Sequence, residues 1–430
     1  MKYIDYFYRM ISKEVRKFLS KAKNSKNFIP WLFSCLSGLL LVFLTLLGDH
    51  LQYDWGGEEA IMKRIEIFRN LFNKEKEVSD GSDSFLAVNV GFDREFVVAY
   101  DEYGIPAGNR AVVNRHSLLR FLDSIQNSQY RCILIDVLLF NEDKTDVDSI
   151  LFARINNTPK IVVVSAENML SDSKIDSSHL AKAEYGITLD ENNFVKYHFE
   201  SNVLPDAAVA TYNIITGKKT HFSGLFSFDE GRLASNSLTL SLPYRIESTY
   251  DEEGNKILFN LGTDILDIYD KESLAELVRD KTVIIGDYTG GDNHDTYVGE
   301  MQGPVIIMNA INALLQGRHI INIWVMFLMF ILFCLIVFFI ISNPARFLPK
   351  GIVDSKFWRF LTMFIGYTSF VIIMNVLIYL ITDVMHDMFL PEIYLSIIFF
   401  IVDKRFHKKN IVSKIKNWHL NLHKTFSKKG

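Results

Sequence analysis

Residues 281–319 read KTVIIGDYTGGDNHDTYVGEMQGPVIIMNAINALLQGRH, and the interpretation of this stretch decides the fold. Thr282 to Ile285 is a short apolar run with β-branched residues, ended by Gly286, which is the pattern of a buried strand. Asp287 to Gly303 is dense in Gly, Asp and Asn and reads as a loop. Pro304 then stands near the start of a helix, where its missing N–H costs little. Val305, Ile306, Met308, Ile311, Leu314 and Leu315 give that helix one broad apolar face. Gly317 falls where a helix C-terminus favours a residue that tolerates positive φ. A few residues later a long apolar run begins, so the stretch joins an α/β domain to a membrane segment.

Outward from it, Ile321–Ser342 carries no charge and reads as a span. Phe28 to Gly48, 21 uncharged residues, is a second. At about 1.5 Å per residue, such a helix crosses a hydrocarbon core of roughly 30 Å. The following GDHLQYDW offers no small-x-small cleavage site, which favours an uncleaved signal anchor. Phe360–Thr382 is a third span. Phe389–Val402 is short, with Pro391 and Glu392 near its entrance, and is read as a fourth because the basic stretch after it then lies inside. Residues 1–27 hold eight Lys/Arg against two acids, and residues 403–430 hold nine against one. Arg346, Lys350, Lys356 and Arg359 outweigh Asp354 in the loop between the second and third spans. The expected topology has four spans and both termini in the cytoplasm.

The middle of the chain is different. Residues 49–319 carry 25 Lys/Arg and 43 Asp/Glu, a charge balance opposite to that of a nucleic-acid binder. Only Cys132 of the three cysteines lies there, so the domain must stand on its core without an internal disulfide. Phe85–Gly91 and Cys132–Leu139 read as strands, as do Phe96–Tyr100 and Lys160–Ser165. Asp101–Arg110 reads as a loop, Asn114 caps a helix to about Gln126, and Asp146–Ile155 is another helix. Glu58–Phe72 has helical apolar spacing, and Leu274–Val278 is a helix leading into the Thr282 strand. Residues 184–262 show shorter alternating runs and are expected to form an antiparallel or irregular insert. The fold class is therefore α/β, a mainly parallel sheet with that insert, plus an α-helical transmembrane bundle. The domain organisation is 1–27 cytoplasmic, 28–48 span, 49–319 extracytoplasmic domain, 320–402 three spans, and 403–430 basic cytoplasmic tail.

A family resemblance lies in these residues. VIIGDYTGGDNHDTY followed by Gly–Pro–Val and NAINALLQG resembles the end of the second type of CHASE domain. So do ILIDVLLFNEDKTDVDS (Ile133–Ser149), FLAVNVGFD (Phe85–Asp93) and NRHSLLRFL (Asn114–Leu122). The resemblance spans roughly residues 50–320, and the trailing spans fit the same layout. It departs at Gly91, where an acidic residue usually follows the first strand. The resemblance implies an extracytoplasmic sensor, of a type associated with bacterial cyclases and histidine kinases. It also implies a bacterial inner membrane location with the main domain periplasmic. In its pattern Asp136, Asp148 and Asp295 match recurring acidic positions, and Arg115 a recurring basic one.

The residues offer their own candidates. Asp287, Asp292, His294 and Asp295 could supply oxygen and imidazole donors to a metal, although acidic, glycine-rich loops are more often solvated turns. Asp136 interrupts an apolar strand, where a carboxylate is costly unless paired. An internal salt bridge is the commoner reason for such a residue, and a ligand contact the sharper one. The expected ligand-binding set is Arg115, Asp136, Asp148, Asp287 and Asp295, with no catalytic residue, no metal and no cofactor. No phosphate-binding loop, nucleophile elbow, zinc motif or kinase signature is present in the sequence. The tail has the spacing of an amphipathic helix, to lie on an anionic leaflet or, as the alternative, to dock a partner.

The expected function is a membrane-anchored sensor that relays a signal to a separate protein partner in the membrane or cytoplasm, without a catalytic domain of its own. Its partners would be the lipid bilayer, that protein, and a second copy in a homodimer, with no nucleic acid. The alternative is a structural or assembly subunit of a cell-envelope complex.

Overall fold

The computed structural model describes residues 28–51, 61–65, 83–100, 103, 105–139, 145–166, 174–183, 196–200, 203–222, 224, 227–251, 253–342, 356–382 and 384–402. Two compact units divide the chain. One comprises Met1–Gly48, Asn322–Ile378 and His386–Gly430; the other comprises Asp49–Ile321 with Tyr379–Met385.

Along the chain, helix α1 (Phe28–His50) precedes strand β1 (Phe85–Asn89), the hairpin β2–β3 (Arg94–Tyr100, Pro106–Val113) and helix α2 (Arg115–Ser124). Next come β4 (Cys132–Asp136), α3 (Asp148–Asn156), β5 (Ile161–Val164), β6 (Leu180–Ala181), β7 (Lys196–His198) and α4 (Ala207–Thr216). The hairpin β8–β9 (Ser227–Asp229, Arg232–Ala234), β10 (Ser237–Thr239), β11 (Leu258–Asn260) and α5 (Lys271–Leu277) follow. Then β12 (Thr282–Gly286), the hairpin β13–β14 (Asn293–Thr296, Gly299–Gln302) and α6 (Gly303–Leu315) lead to α7 (Ile323–Ser342), α8 (Lys356–Thr382) and α9 (Phe389–Val402).

The apolar run that opened the sequence reading, β12, is central. It pairs in parallel with β1 from Phe85↔Thr282 to Asn89↔Gly286, and with β4 from Thr282↔Cys132 to Gly286↔Asp136. The full order is β11-β1-β12-β4-β5-β6, every pair parallel. Both faces are covered, which is why these strands are apolar without alternation. Leu86, Val88, Ile133, Ile135, Val283 and Ile285 turn to one face and meet Leu118, Phe121, Leu151, Ile155 and Leu274 of α2, α3 and α5. On the other face α4 packs against β4, β5 and α6, and α6 packs against β12.

Local chemistry sets the helix ends. Asn114 caps α2 by accepting from Ser117 N at 3.0 Å, as its sequence position indicates. The helix beginning at Gly303 has proline in its first turn, and it is buried all round from Gly303 to Leu314 rather than on one face. It ends in a Schellman motif: Arg318 N donates to Ala313 O at 3.0 Å and Gly317 N to Leu314 O at 2.9 Å, with Gly317 at φ 71°.

Three readings change. Asp101–Arg110 is not all loop, because Pro106–Val113 forms β3, antiparallel to β2 outside the main sheet. The loop after β12 holds its own hairpin, β13–β14. The insert contains the expected antiparallel pairs β7–β10 and β8–β9, but also the helix α4, capped by Asp206 and ended by Gly217 at φ 71°. Of the expected Glu58–Phe72 helix, 61–65 is helical and the rest lies outside the described residues, as do both termini.

In the other unit, α1, α7 and the Ile365–Thr382 part of α8 are long and apolar enough to cross a membrane. Trp31 stacks on Phe338 at 4.3 Å, Ser37 Oγ lies 3.1 Å from Tyr394 OH, and Tyr367 OH lies 2.7 Å from Ser396 Oγ. Leu36, Leu39, Phe327 and Leu335 face outward, exposed and apolar, as lipid contact requires. Phe389–Val402 falls in the 10–17-residue range, short of the roughly 20 residues a span needs.

Candidate functional site

The carboxyl ends of parallel strands are where open α/β sheets present ligand sites, because the connections there diverge. In this domain Asn89 organises that edge. Its Nδ2 donates to Asn260 Oδ1 at 2.9 Å, and its Oδ1 accepts from Gly91 N at 2.9 Å and Tyr288 N at 3.1 Å. One side chain thus fixes the ends of β11, β1 and β12. The chain after β1 passes so close to the chain after β12 that a Cβ at Gly91 would sit inside the contact distance of Thr289 and Asp287. An acidic side chain has no room there, and it would face another carboxylate. The glycine at position 91 is what lets these two loops approach.

Asp287 is held from both sides. Its Oδ1 accepts from Thr289 N at 2.8 Å and Thr289 Oγ1 at 2.6 Å, while its Oδ2 takes Arg94 Nη2 at 2.5 Å. Arg94 starts β2, so this pair brings the β2–β3 hairpin over the sheet edge. Between them lies a cavity of about 350 Å³. Its polar lining is Arg94, Arg110, Asp136, Asp287 and Asp292. Val90, Val137, Leu138 and Val164 supply an aliphatic wall.

Asp136 is the last residue of β4, and its Oδ2 is buried without a hydrogen-bond partner among the described residues. Burial, then the nearby Asp292 charge, push its carboxyl up to about 7, with His294 pulling the other way. Near neutral pH it can either accept or donate a hydrogen bond. Asp292 is tied to His294 Nε2 at 3.1 Å, and its carbonyl accepts from Gly303 N, the first residue of α6, at 2.8 Å. The cavity floor is thereby connected to the start of that helix. A perturbed carboxyl lining a cleft makes that cleft a candidate functional site.

The five sequence candidates separate. Asp136 and Asp287 line the cavity. Arg115 and Asp148 come together elsewhere, with Nη1 and Oδ1 2.6 Å apart, both buried. Asp148 also accepts from Thr145 N at 3.0 Å and Thr145 Oγ1 at 2.7 Å, and Arg115 N donates to Glu95 Oε1 at 2.9 Å. That cluster joins the starts of α2 and α3 and answers its own charges. Asp295 is exposed on β13 opposite Glu300, outside the cavity lining. Arg94 and Arg110 were missed, and no spacing in the sequence marks them, because they reach the cavity only through a hairpin that folds back over the sheet edge. Among the described residues no group of three or more His, Cys, Asp or Glu is arranged to hold a metal ion.

Residues 38–342 match the sequence profile of the CHASE2 domain. The chain belongs to the CHASE2 family. The match covers the whole sheet, the insert and both hairpins at the cavity edge, and it runs from within α1 to the end of α7. No curated protein and no solved structure matches the chain. CHASE2 domains are sensory rather than catalytic. With apolar helices of spanning length at both ends of its CHASE2 domain, this is a membrane protein with an extracytoplasmic sensor domain.

Proposed function

We propose that this CHASE2 protein senses a small polar ligand in the Asp136 cavity and relays its presence to a separate protein partner. The observation that carries the reading is the buried, unpartnered Asp136 oxygen at the carboxyl edge of a parallel sheet, beside a cavity of about 350 Å³. Asp136 and Asp287 would contact the ligand together with Arg110 and Asp292. Arg115 and Asp148 would hold α2 and α3 in place behind them. A ligand shifts a conformational equilibrium only through its different affinity for the two states. Here the difference would arise where Asp292 meets the first turn of α6, and the change would pass along that helix toward the span that follows it in the chain. We place both termini in the cytoplasm and the domain in the periplasm of a bacterial inner membrane. The charge segregation between the ends and the middle supports this. The protein itself would catalyse no reaction, and partners would be recruited through spans, tail or a second copy.

One observation favours the alternative, a structural subunit of an envelope complex. The β2–β3 hairpin leaves Phe96 and Val98 exposed, with Phe92 beside it, which suits a protein contact. The test is to purify the full chain from native membranes and release bound small molecules by denaturation. A compound recovered from the wild type and lost from Asp136→Ala supports sensing. Equal recovery of every compound from both, with a stable stoichiometric protein partner, supports the structural role.

A further inference from the structure

Between α6 and the second span the chain does not run free. After Gly317 turns it, His319 O accepts from Ser235 N at 2.8 Å and Ile321 N donates to Leu233 O at 2.9 Å, with Ile320 bridged opposite Ala234. The linker is thus a short added strand on β9. Its one inward side chain of note is His319, 0% exposed. The imidazole Nε2 lies 3.0 Å from Asp229 Oδ2, and the ring sits edge-on to Tyr212 and Phe222 at 5.6 and 5.9 Å.

Asp229, itself 1% exposed, is already well served. It accepts from Thr220 Oγ1 at 2.7 Å, Tyr212 OH at 3.0 Å and Lys218 Nζ at 3.2 Å. Lys218 also reaches Tyr212 OH at 2.8 Å and Glu230 at 3.3 Å, and Arg232 lies 3.9 Å from Glu230. Burial would raise the Asp229 carboxyl, but the bonds from Thr220, His319, Lys218 and Tyr212 outweigh it and hold the group below the usual carboxylate range. The Asp229 charge is therefore balanced by Lys218 before His319 contributes anything but a neutral N–H. The other imidazole nitrogen is the exposed weakness of the arrangement: His319 Nδ1 is buried with no hydrogen-bond partner among the described residues.

We propose that the His319–Asp229 contact is an acid-released latch that holds the segment before the second span against the β8–β9 hairpin. With a neutral ring, Nε2–H donates to Asp229 and Nδ1 is bare. A second proton places an N–H on Nδ1 where no acceptor waits, and adds positive charge facing Lys218 and Arg232. In an opened linker the same proton is hydrated. Burial, Lys218 and Arg232 all depress the proton affinity of His319 while Asp229 opposes them, and the net direction is downward. The open form thus binds the extra proton more readily, so the clamp is strongest at neutral pH and weakens as pH falls through the histidine range. The latch stands on contacts apart from the Asp136 cavity and does not depend on a ligand there.

Amide hydrogen exchange on the full chain in lipid nanodiscs tests this, read at Ser235 and Ile321 at about pH 7.5 and about pH 5 after correction for intrinsic rates. Opening at both amides should rise on the order of tenfold in acid for the wild type, the size expected of one unsatisfied buried donor. His319→Gln keeps an N–H for Asp229 but takes up no proton, and should stay protected at both pH values. If that variant does not fold, His319→Phe carries the same comparison, because Asp229 keeps three other donors. Unchanged protection of the wild type in acid, or acid opening that persists in either variant, would overturn the proposal.

Discussion

Arg94 Nη2 donates to Asp287 Oδ2 at 2.5 Å, and this bond joins a peripheral hairpin to the loop that follows the central strand. The arginine side chain is 36% exposed and the aspartate 14%, so water screens the pair and its share of stability is small. Arg94→Gln should lower the unfolding free energy by less than about 1 kcal/mol. The same change should free the β2–β3 hairpin from the cavity rim. Limited proteolysis would show it as faster cleavage between Arg94 and Val113, with the melting temperature lowered by no more than about 4 °C.

Gly91 makes the opposite prediction about magnitude. A side chain there meets Thr289 and Asp287 in a packed edge, so the backbone must shift. Gly91→Ala should destabilise the domain by about 1–3 kcal/mol, the usual cost of overpacking. Gly91→Asp should cost more, since it adds a like charge beside Asp287. Denaturant unfolding of the two variants ranks them; equal midpoints to the wild type would mean that the two loops are further apart in solution.

The Arg115–Asp148 pair is buried, so removing one partner strands the other. Arg115→Met should destabilise by roughly 3–5 kcal/mol. The double change Arg115→Met with Asp148→Leu should recover part of that loss, because neither charge then lies buried alone. A double-mutant cycle on unfolding free energies measures the coupling, and additive losses would contradict the geometry.

Asp136 gives a pH prediction whose sign follows from linkage. Its carboxyl sits at about 7 in the folded protein, above the ordinary 3.8, so the folded state holds a proton that the unfolded state releases. That contribution is complete below the unfolded value and disappears as pH rises through about 7. Asp206, buried and likewise raised to about 7, acts in the same direction. His198 and His319, whose proton affinities burial depresses, act in the opposite direction, so the readout is the difference between variants: the Asp136 contribution, seen as the melting-temperature margin of the wild type over Asp136→Asn, should shrink from about pH 5 to about pH 8. A margin that stays constant across this range would show that Asp136 does not titrate in this window.

The central strands were legible because burial on two faces leaves a plain mark: Thr282–Gly286 and Cys132–Asp136 are apolar runs with polar ends. Asn114, Pro304 and Gly317 were legible because helix ends are fixed by single residues. Pro106–Val113 was not, since an exposed ribbon needs no apolar alternation and PAGNRAVV has almost none. Helix α4 was hidden among β-branched residues, although Asp206 and Gly217 stood 11 residues apart as cap and stop around it. At the cavity, Asp136 and Asp287 could be found as polar residues at strand ends. Arg94 and Arg110 could not, because a hairpin folding back over the edge leaves no trace in spacing. Arg115 and Asp148 were seen as charged residues of interest, but nothing in a linear chain says that two charges 33 residues apart satisfy each other.

The position of β12 has a consequence for how the domain is made. Its neighbours β1 and β4 are synthesised far ahead of it, and Phe85 finds its partner only at Thr282. Until residue 286 has crossed the membrane, both strands present bare inner edges and the hydrophobic layer between α2, α3 and α5 has a gap down its middle. Contacts of such long sequence separation form late and leave sticky intermediates exposed. The strand that finishes the sheet is therefore also the one whose arrival ends the period in which the nascent domain needs protection from proteases and from other unfolded chains. A polypeptide interrupted just before Thr282 would have most of the sequence of this domain and none of its keystone.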